Sequence, residues 1–317
     1  MNKSIMQATS IKGVSHTRNN MPVQDYSRCM RIDKYIFLFS ADGLGSSRHS
    51  DVAAKELIQH AQEFINEFNY STCTISDGVL PALLKICFHN TNQWYSFRHK
   101  KDLDDYLSTL DIAVLNTKNG KLFYAHSGDG GIITRDLYGE YHIITTEQKP
   151  LHMPSNYVYP FYKSEHWEFG QSENVSAVMI MTDGLLDIFN HEYLKYNDIN
   201  VYIFLCSAIL ESVLTPKTCK GYKKYIERLL SDRKIATAVA KKYETMLSDI
   251  QEDHMANRML DSVTDDVTIA SAILIDMSQT PPLTDKSYYL EPNWVELKKK
   301  RAQDIMLKLN NVNKGAD

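Results

Sequence analysis

The chain has 317 residues, 43% hydrophobic and 23% charged, enough to build one large core or two modest domains. Its 35 lysines and arginines against 39 acidic residues leave a net charge of −4, which gives no electrostatic case for nucleic acid binding. No apolar stretch approaches the roughly 18 residues of a membrane span, and Met1 to Gln7 lack the apolar core of a secretory signal. Cys29, Cys73, Cys87, Cys206 and Cys219 include no Cys-x-x-Cys pair, which points to free thiols in a reducing cytoplasm.

In chain order, strands are expected at about 6–15, 24–32 and 34–41. The last contains Tyr35-Ile36-Phe37-Leu38-Phe39-Ser40, an aromatic and β-branched run that reads as a buried strand and stops at Asp42-Gly43. Gly43 lets the chain turn sharply and brings backbone close to any ligand, so its carbonyl is itself a candidate cation ligand. Helices are expected at 49–68 and 78–98, the second with Leu80, Leu83, Leu84, Ile86 and Phe88 on a partly periodic apolar face. Strands follow at 109–116, 120–126, 130–135 and 140–146, with Asn119-Gly120 as a hairpin turn signal. Another apolar strand at 175–182 delivers Thr182-Asp183-Gly184.

From Leu186 to Leu260 the pattern turns helical, with amphipathic runs at 201–214, 217–230 and 233–250. This stretch reads as cover for one sheet, or as a docking or regulatory element. The last strand, 267–275, is preceded by Asp265-Asp266. Its carboxylates therefore stand at its beginning, as an antiparallel neighbour of the earlier strands needs in order to share their edge. After Thr280-Pro281-Pro282, a helix from Pro292 to Asn310 is expected, with Trp294, Leu297, Ile305 and Leu309 on one side and Lys298 to Arg301 facing out. Two groups of short strands, separated and followed by helical pairs, suggest two sheets packed face to face with helices outside.

Gln24-Asp25, Ala41-Asp42-Gly43, Thr182-Asp183-Gly184 and Asp265-Asp266-Val267-Thr268 each place aspartates where a strand meets a loop. A single Asp-Gly is an ordinary turn. A series of them, held at strand ends, can converge on one hard divalent cation. Oxygen ligands without a nearby His/Cys cluster favour Mg²⁺ or Mn²⁺ over Zn²⁺ or copper. A two-metal nuclease on another fold would use the same ligands, but no basic groove is legible.

The ordered series resembles the metal-dependent protein phosphatases (PPM, the type 2C serine/threonine phosphatases), in particular the bacterial branch that opens with Gly-x-Ser-His and Gln-Asp. Here the opening is Gly13-Val14-Ser15-His16, then Gln24-Asp25. Asp42-Gly43-Leu44-Gly45-Ser46, Ser108-Thr109-Leu110, Ser127-Gly128-Asp129-Gly130, Thr182-Asp183-Gly184-Leu185 and Asp265-Asp266-Val267-Thr268 continue the order, over about residues 8 to 276. The resemblance implies an α+β fold, a four-layer αββα sandwich of two antiparallel β-sheets flanked by helices. On that basis a phosphatase domain is expected at 1–278, with a helical insertion at about 188–262, and a C-terminal helical tail at 279–317.

Carried over residue by residue, the resemblance implies two Mn²⁺ or Mg²⁺ ions. Asp42 would bridge them, Gly43 would add its carbonyl, and Asp183 and Asp265 would complete the set. Asp129, with Asp183, would hold a weaker third ion, and Asp25 would orient the waters. Asp266 stands where relatives carry Asn or Asp beside the ligand, and is assigned around the metals, with either member of the pair able to coordinate. A metal-activated water needs no nucleophilic side chain. The chain accordingly shows no Cys-x₅-Arg loop, Gly-x-Ser-x-Gly elbow or Walker-type loop.

Two departures bear on the substrate phosphate. Many relatives carry an Arg where this chain has Asn20, and some a His where it has Leu44. Arg18 and His16 lie close by as replacements for the phosphate contact; His16 reads equally as a histidine hydrogen-bonded within the first strands. The implied function is hydrolysis of phosphoserine and phosphothreonine on proteins, opposite a Ser/Thr kinase. The contrasting expectation is a catalytically weak relative that binds phosphoprotein or a partner as a signalling module.

Overall fold

The computed structural model describes residues 4–71, 74–139, 141–148, 158–189, 265–275 and 277. The expected helices at 201–214, 217–230 and 233–250, and the whole tail from 279, lie outside these residues.

Two five-stranded antiparallel sheets make the body. One runs β1 (Ser4–Ile11), β10 (Val267–Leu274), β9 (Val175–Met181), β6 (Gly131–Asp136), β7 (Tyr141–Ile143). The other runs β2 (Tyr26–Ile32), β3 (Tyr35–Ala41), β4 (Leu110–Asn116), β5 (Leu122–Ser127), β8 (Glu168–Ser172). Every residue of β3 is buried, because both of its faces are covered. Tyr35, Phe37 and Phe39 pack under helices α2 (Ser50–Ser71) and α3 (Leu80–Arg98), against Leu57, Ile58, Leu84 and Phe88. Ile36 and Leu38 point the other way, onto Val178, Ile180, Ala270 and Ala272 of the first sheet. At about 1.5–3 kcal/mol for each large apolar side chain, these two cores fix which face of each strand points where.

This is the expected α+β sandwich of two antiparallel sheets. Helices α2 and α3 cover one sheet; the helical layer expected on the other falls on residues outside those described. No helix among the described residues is long and apolar enough to cross a membrane. Cys29 and Cys87 are free thiols. Gly120 turns the β4–β5 hairpin at φ 68°, as the Asn119-Gly120 pair anticipates.

Three elements depart from the sequence expectations. The first strand ends at Ile11, not 15, because the chain bends into a short helix, α1 (Val14–Arg18), whose Thr17 returns both its N–H and its hydroxyl to the Gly13 carbonyl. Strand β8 was not anticipated: it is a short edge strand with a mixed pattern. Its Gly170 lies against Tyr124, whose hydroxyl a Cβ at that position would meet at 2.3 Å. Helix begins just after β9, at Asp183, and not from Leu186 as the pattern suggests: Asp183 opens helix α4 (Asp183–Phe189).

Candidate metal centre

Antiparallel register brings the aspartate motifs to one edge of the sandwich. Ala41 pairs with Tyr26, Leu110 with Ser127, and Met181 with both Ile269 and Gly131. The end of β3, the β5–β6 turn, the end of β9 and the start of β10 therefore stand side by side.

Asp42 is fixed through its backbone. Its N–H donates to Thr109 Oγ1 at 2.9 Å, and its carbonyl accepts from the Thr109 N–H at 2.8 Å and the Ser108 hydroxyl at 2.7 Å. The next position must be glycine, since a Cβ on Gly43 would lie 2.5 Å from the Ser50 carbonyl and 2.7 Å from that of Gln24. Gly184 is under the same constraint, with 2.0 Å to the Asp266 carbonyl. The Asp-Gly motifs thus mark places where two backbones nearly touch.

Asp42, Asp129 and Asp183 each offer one carboxylate oxygen within 4.8 Å of the others. Asp25 is buried beside them, accepts a hydrogen bond from the Thr182 hydroxyl at 2.7 Å and is hydrogen-bonded to Asp42. Burial pushes the Asp25 carboxyl up to about 7, against the hydrogen bonds from Asp42 and Thr182 and with the charges of Asp266 and Asp265. Burial, then the charges of Asp25, Asp183 and Asp129, hold Asp42 well above the usual carboxylate range. Like charges gathered out of water are costly unless a cation or a proton offsets them.

The Asp265-Asp266 pair divides its tasks. Asp266 is buried, and its two oxygens accept the backbone N–H groups of Gly13 at 2.7 Å and Gln24 at 2.5 Å. His16, also buried, places Nδ1 2.9 Å from Asp266 Oδ1, outside hydrogen-bond alignment, and Nε2 3.7 Å from Asp265 Oδ1. The Asp265 side chain is 55% exposed, and its Oδ1 accepts the Asp266 N–H at 2.8 Å. Arg18 is exposed at the end of α1, and Asn20 beyond it has φ 51°.

Sequence reasoning gave no role to Thr182 or to the pair Asp111 and His126, which lies below the Asp129 turn. The pair left a signal: each is a polar residue at an inward position of an otherwise apolar strand. Thr182 left less, because its partner Asp25 is reached only across the sandwich.

The Protein phosphatase 2C profile matches residues 12–214. No curated protein matches the sequence. Among solved structures the fold is similar to the S. agalactiae serine/threonine phosphatase, with TM-score 0.58 and 12% identity over 86% of this chain and 100% of that one. It is also similar to Stp1 from Staphylococcus aureus, at 0.55 and 12% over 86% and 95%. A third likeness is to Mycobacterium tuberculosis PstP/Ppp, at 0.52 and 16% over 86% and 98%. The catalytic domain of PstP has been seen in complex with 2 manganese ions. At these identities the structural likeness speaks for the fold alone, but the profile spans well over half of the chain and takes in four of the five aspartate motifs, so the chain belongs to the Protein phosphatase 2C family.

Proposed function

We propose that this protein is an Mn²⁺- or Mg²⁺-dependent protein serine/threonine phosphatase, acting in the cytoplasm on phosphoproteins made by a Ser/Thr kinase. The observation that carries this reading is the convergence of Asp42, Asp129 and Asp183 within 4.8 Å. The donor set fits hard divalent cations: all ligands are oxygens, and the buried like charges need a counter-ion. Asp42 would bridge two ions with the Gly43 carbonyl beside it. Asp183 and Asp265 would complete their shell, and Asp129 with Asp183 would hold a weaker third. When bound, two such ions lower the pKa of a shared water and neutralise phosphoryl oxygens.

The chain's own groups prepare that chemistry. Thr182 fixes the Asp25 carboxylate next to Asp42, where it would orient an incoming water. Asp266 ties the Gly13 and Gln24 backbones to the start of β10 and so places Asp25. His16 is buried against Asp266 and Asp265, 2.9 Å and 3.7 Å from their carboxylates, and so is turned away from solvent. That leaves exposed Arg18 as the cation assigned to the substrate phosphate, in place of the Arg that relatives carry at Asn20.

The test is hydrolysis of phosphoserine and phosphothreonine peptides with Mn²⁺, with excess chelator, and by a folded Asp42→Ala protein. Turnover confined to the first condition supports the reading. Equal turnover in chelator contradicts it. Binding of Mn²⁺ and phosphopeptide without turnover would instead indicate a catalytically weak signalling module, which the exposed Asn20 position favours.

A further inference from the structure

Asp111 on β4 and His126 on β5 are cross-strand partners. Ala113 and Leu115 on the one strand, and Leu122 and Tyr124 on the other, belong to the core between the sheets; by alternation Asp111 and His126 face inward too. Both are almost completely buried. His126 Nδ1 lies 2.6 Å from Asp111 Oδ1, and Nε2 lies 3.1 Å from the Thr146 carbonyl. A carbonyl has no proton to give, so Nε2 must be N–H. A contact of 2.6 Å between Nδ1 and a carboxylate oxygen likewise requires a proton between them. That proton is either on the ring, facing a carboxylate, or on Asp111, facing a neutral ring; both forms hold the same number of protons.

The neighbours of this pair lead to the Asp129 turn from two sides. A Cβ on Gly130 would come within 3.1 Å of Asp111 Oδ2, so the carboxylate lies directly under the turn. Beyond Thr146, Gln148 clamps the turn: its Oε1 accepts the Gly128 N–H at 3.1 Å, and its own N–H donates to the Gly128 carbonyl at 2.9 Å. Thr146 is held by its carbonyl to His126 and by its N–H to Glu168 Oε2 at 2.9 Å.

We propose that Asp111 and His126 are a buried, proton-sharing positioning pair that holds the Gly128-Asp129-Gly130 turn, and so Asp129, in place. That Asp129 thereby serves a cation rests on the proposed function; that the pair sets the turn does not. The charged groups facing the ring are Asp111 from β4 and Glu168 from β8, with the Tyr124 hydroxyl alongside on β5. Burial pulls the His126 pKa down, but Asp111, by charge and hydrogen bond, and then Glu168 carry it upward overall. Loss of the shared proton would leave two lone pairs opposed at 2.6 Å.

The test uses the full chain without metal and reads nitrogen-15 signals of the histidine rings and hydrogen exchange at Gly128. The parent ring of His126 should be in its proton-sharing state at about pH 8, where an ordinary histidine is neutral. Asp111→Asn offers an amide N–H to Nδ1, so the ring should become singly protonated at Nε2 while Gly128 keeps its protection. His126→Leu should lower protection at Gly128 about tenfold. A parent ring that titrates as an ordinary histidine, or a folded His126→Leu protein with parental Gly128 protection, overturns the proposal. If His126→Leu does not fold, the parent ring and Asp111→Asn decide: loss of Gly128 protection in a folded Asp111→Asn protein also overturns it. No readout involves a cation or substrate, so an inactive enzyme would contradict the proposed function and leave this result standing.

Discussion

Replacing Asp266 with alanine strips the partner from two buried backbone donors at once, the N–H groups of Gly13 and Gln24. Each orphaned group costs about 1–3 kcal/mol, so the loss is about 2–6 kcal/mol, a large part of a typical total of about 5–15 kcal/mol. The neighbouring Asp265 provides an internal control. Its carboxylate is 55% exposed and accepts one N–H, that of Asp266 itself, so Asp265→Ala should cost at most about 1 kcal/mol. The assay is urea unfolding of both variants and the parent in excess chelator, with the slope checked for constancy so that the midpoint reports stability. Metal affinity should show the reverse order, with Asp265→Ala the more damaging of the two once the loss of fold in Asp266→Ala is allowed for. Equal stability of the two variants, or an Asp266→Ala protein within about 1 kcal/mol of the parent, would refute the reasoning.

The other predictions concern the carboxylate cluster and its surroundings. Asp25 has its folded pKa raised from 3.8 to about 7, so its contribution to metal-free stability is complete below about pH 4 and is lost as pH rises through 7. Asp25→Asn, which cannot ionise, should therefore unfold at higher urea than the parent in chelator at pH 8, by up to about 4 kcal/mol; a less stable variant would contradict this. Gly184→Ala drives a Cβ to 2.0 Å from the Asp266 carbonyl and should cost about 1–3 kcal/mol or more, read as a lowered melting temperature. Arg18→Ala should chiefly raise KM, with kcat/KM falling by about one to two powers of ten at all accessible pH values, since the guanidinium stays charged. Parental kinetics would assign the phosphate to other groups.

Much of the body was legible because single residues carried unambiguous physics. The run from Tyr35 to Ala41 is apolar on both faces, as a strand between a helical layer and a second sheet must be. The order and spacing of the aspartate motifs were also readable, and Gly43 and Gly184 prove to sit where backbones approach too closely for any side chain. What stayed hidden depends on partners distant in sequence. Strand β8 has an edge strand's mixed pattern, and its glycine serves Tyr124, not a turn. Asp265 and Asp266 look alike in sequence; only the Gly13 and Gln24 amides, on a segment from the other end of the chain, distinguish them. His126 and Asp111 stood out as polar residues in apolar strands, but their pairing needed the β4–β5 register.

The central claim, that the converging carboxylates form a divalent cation site, is tested most directly by calorimetric titration of Mn²⁺ into chelator-stripped protein, with the parent and Asp42→Asn side by side. The account predicts about two tight ions per parent chain, as expected of a two-metal site, and loss of both in a folded Asp42→Asn protein. Absence of binding in the folded parent, or undiminished binding after the Asp42 carboxylate is removed, would contradict it.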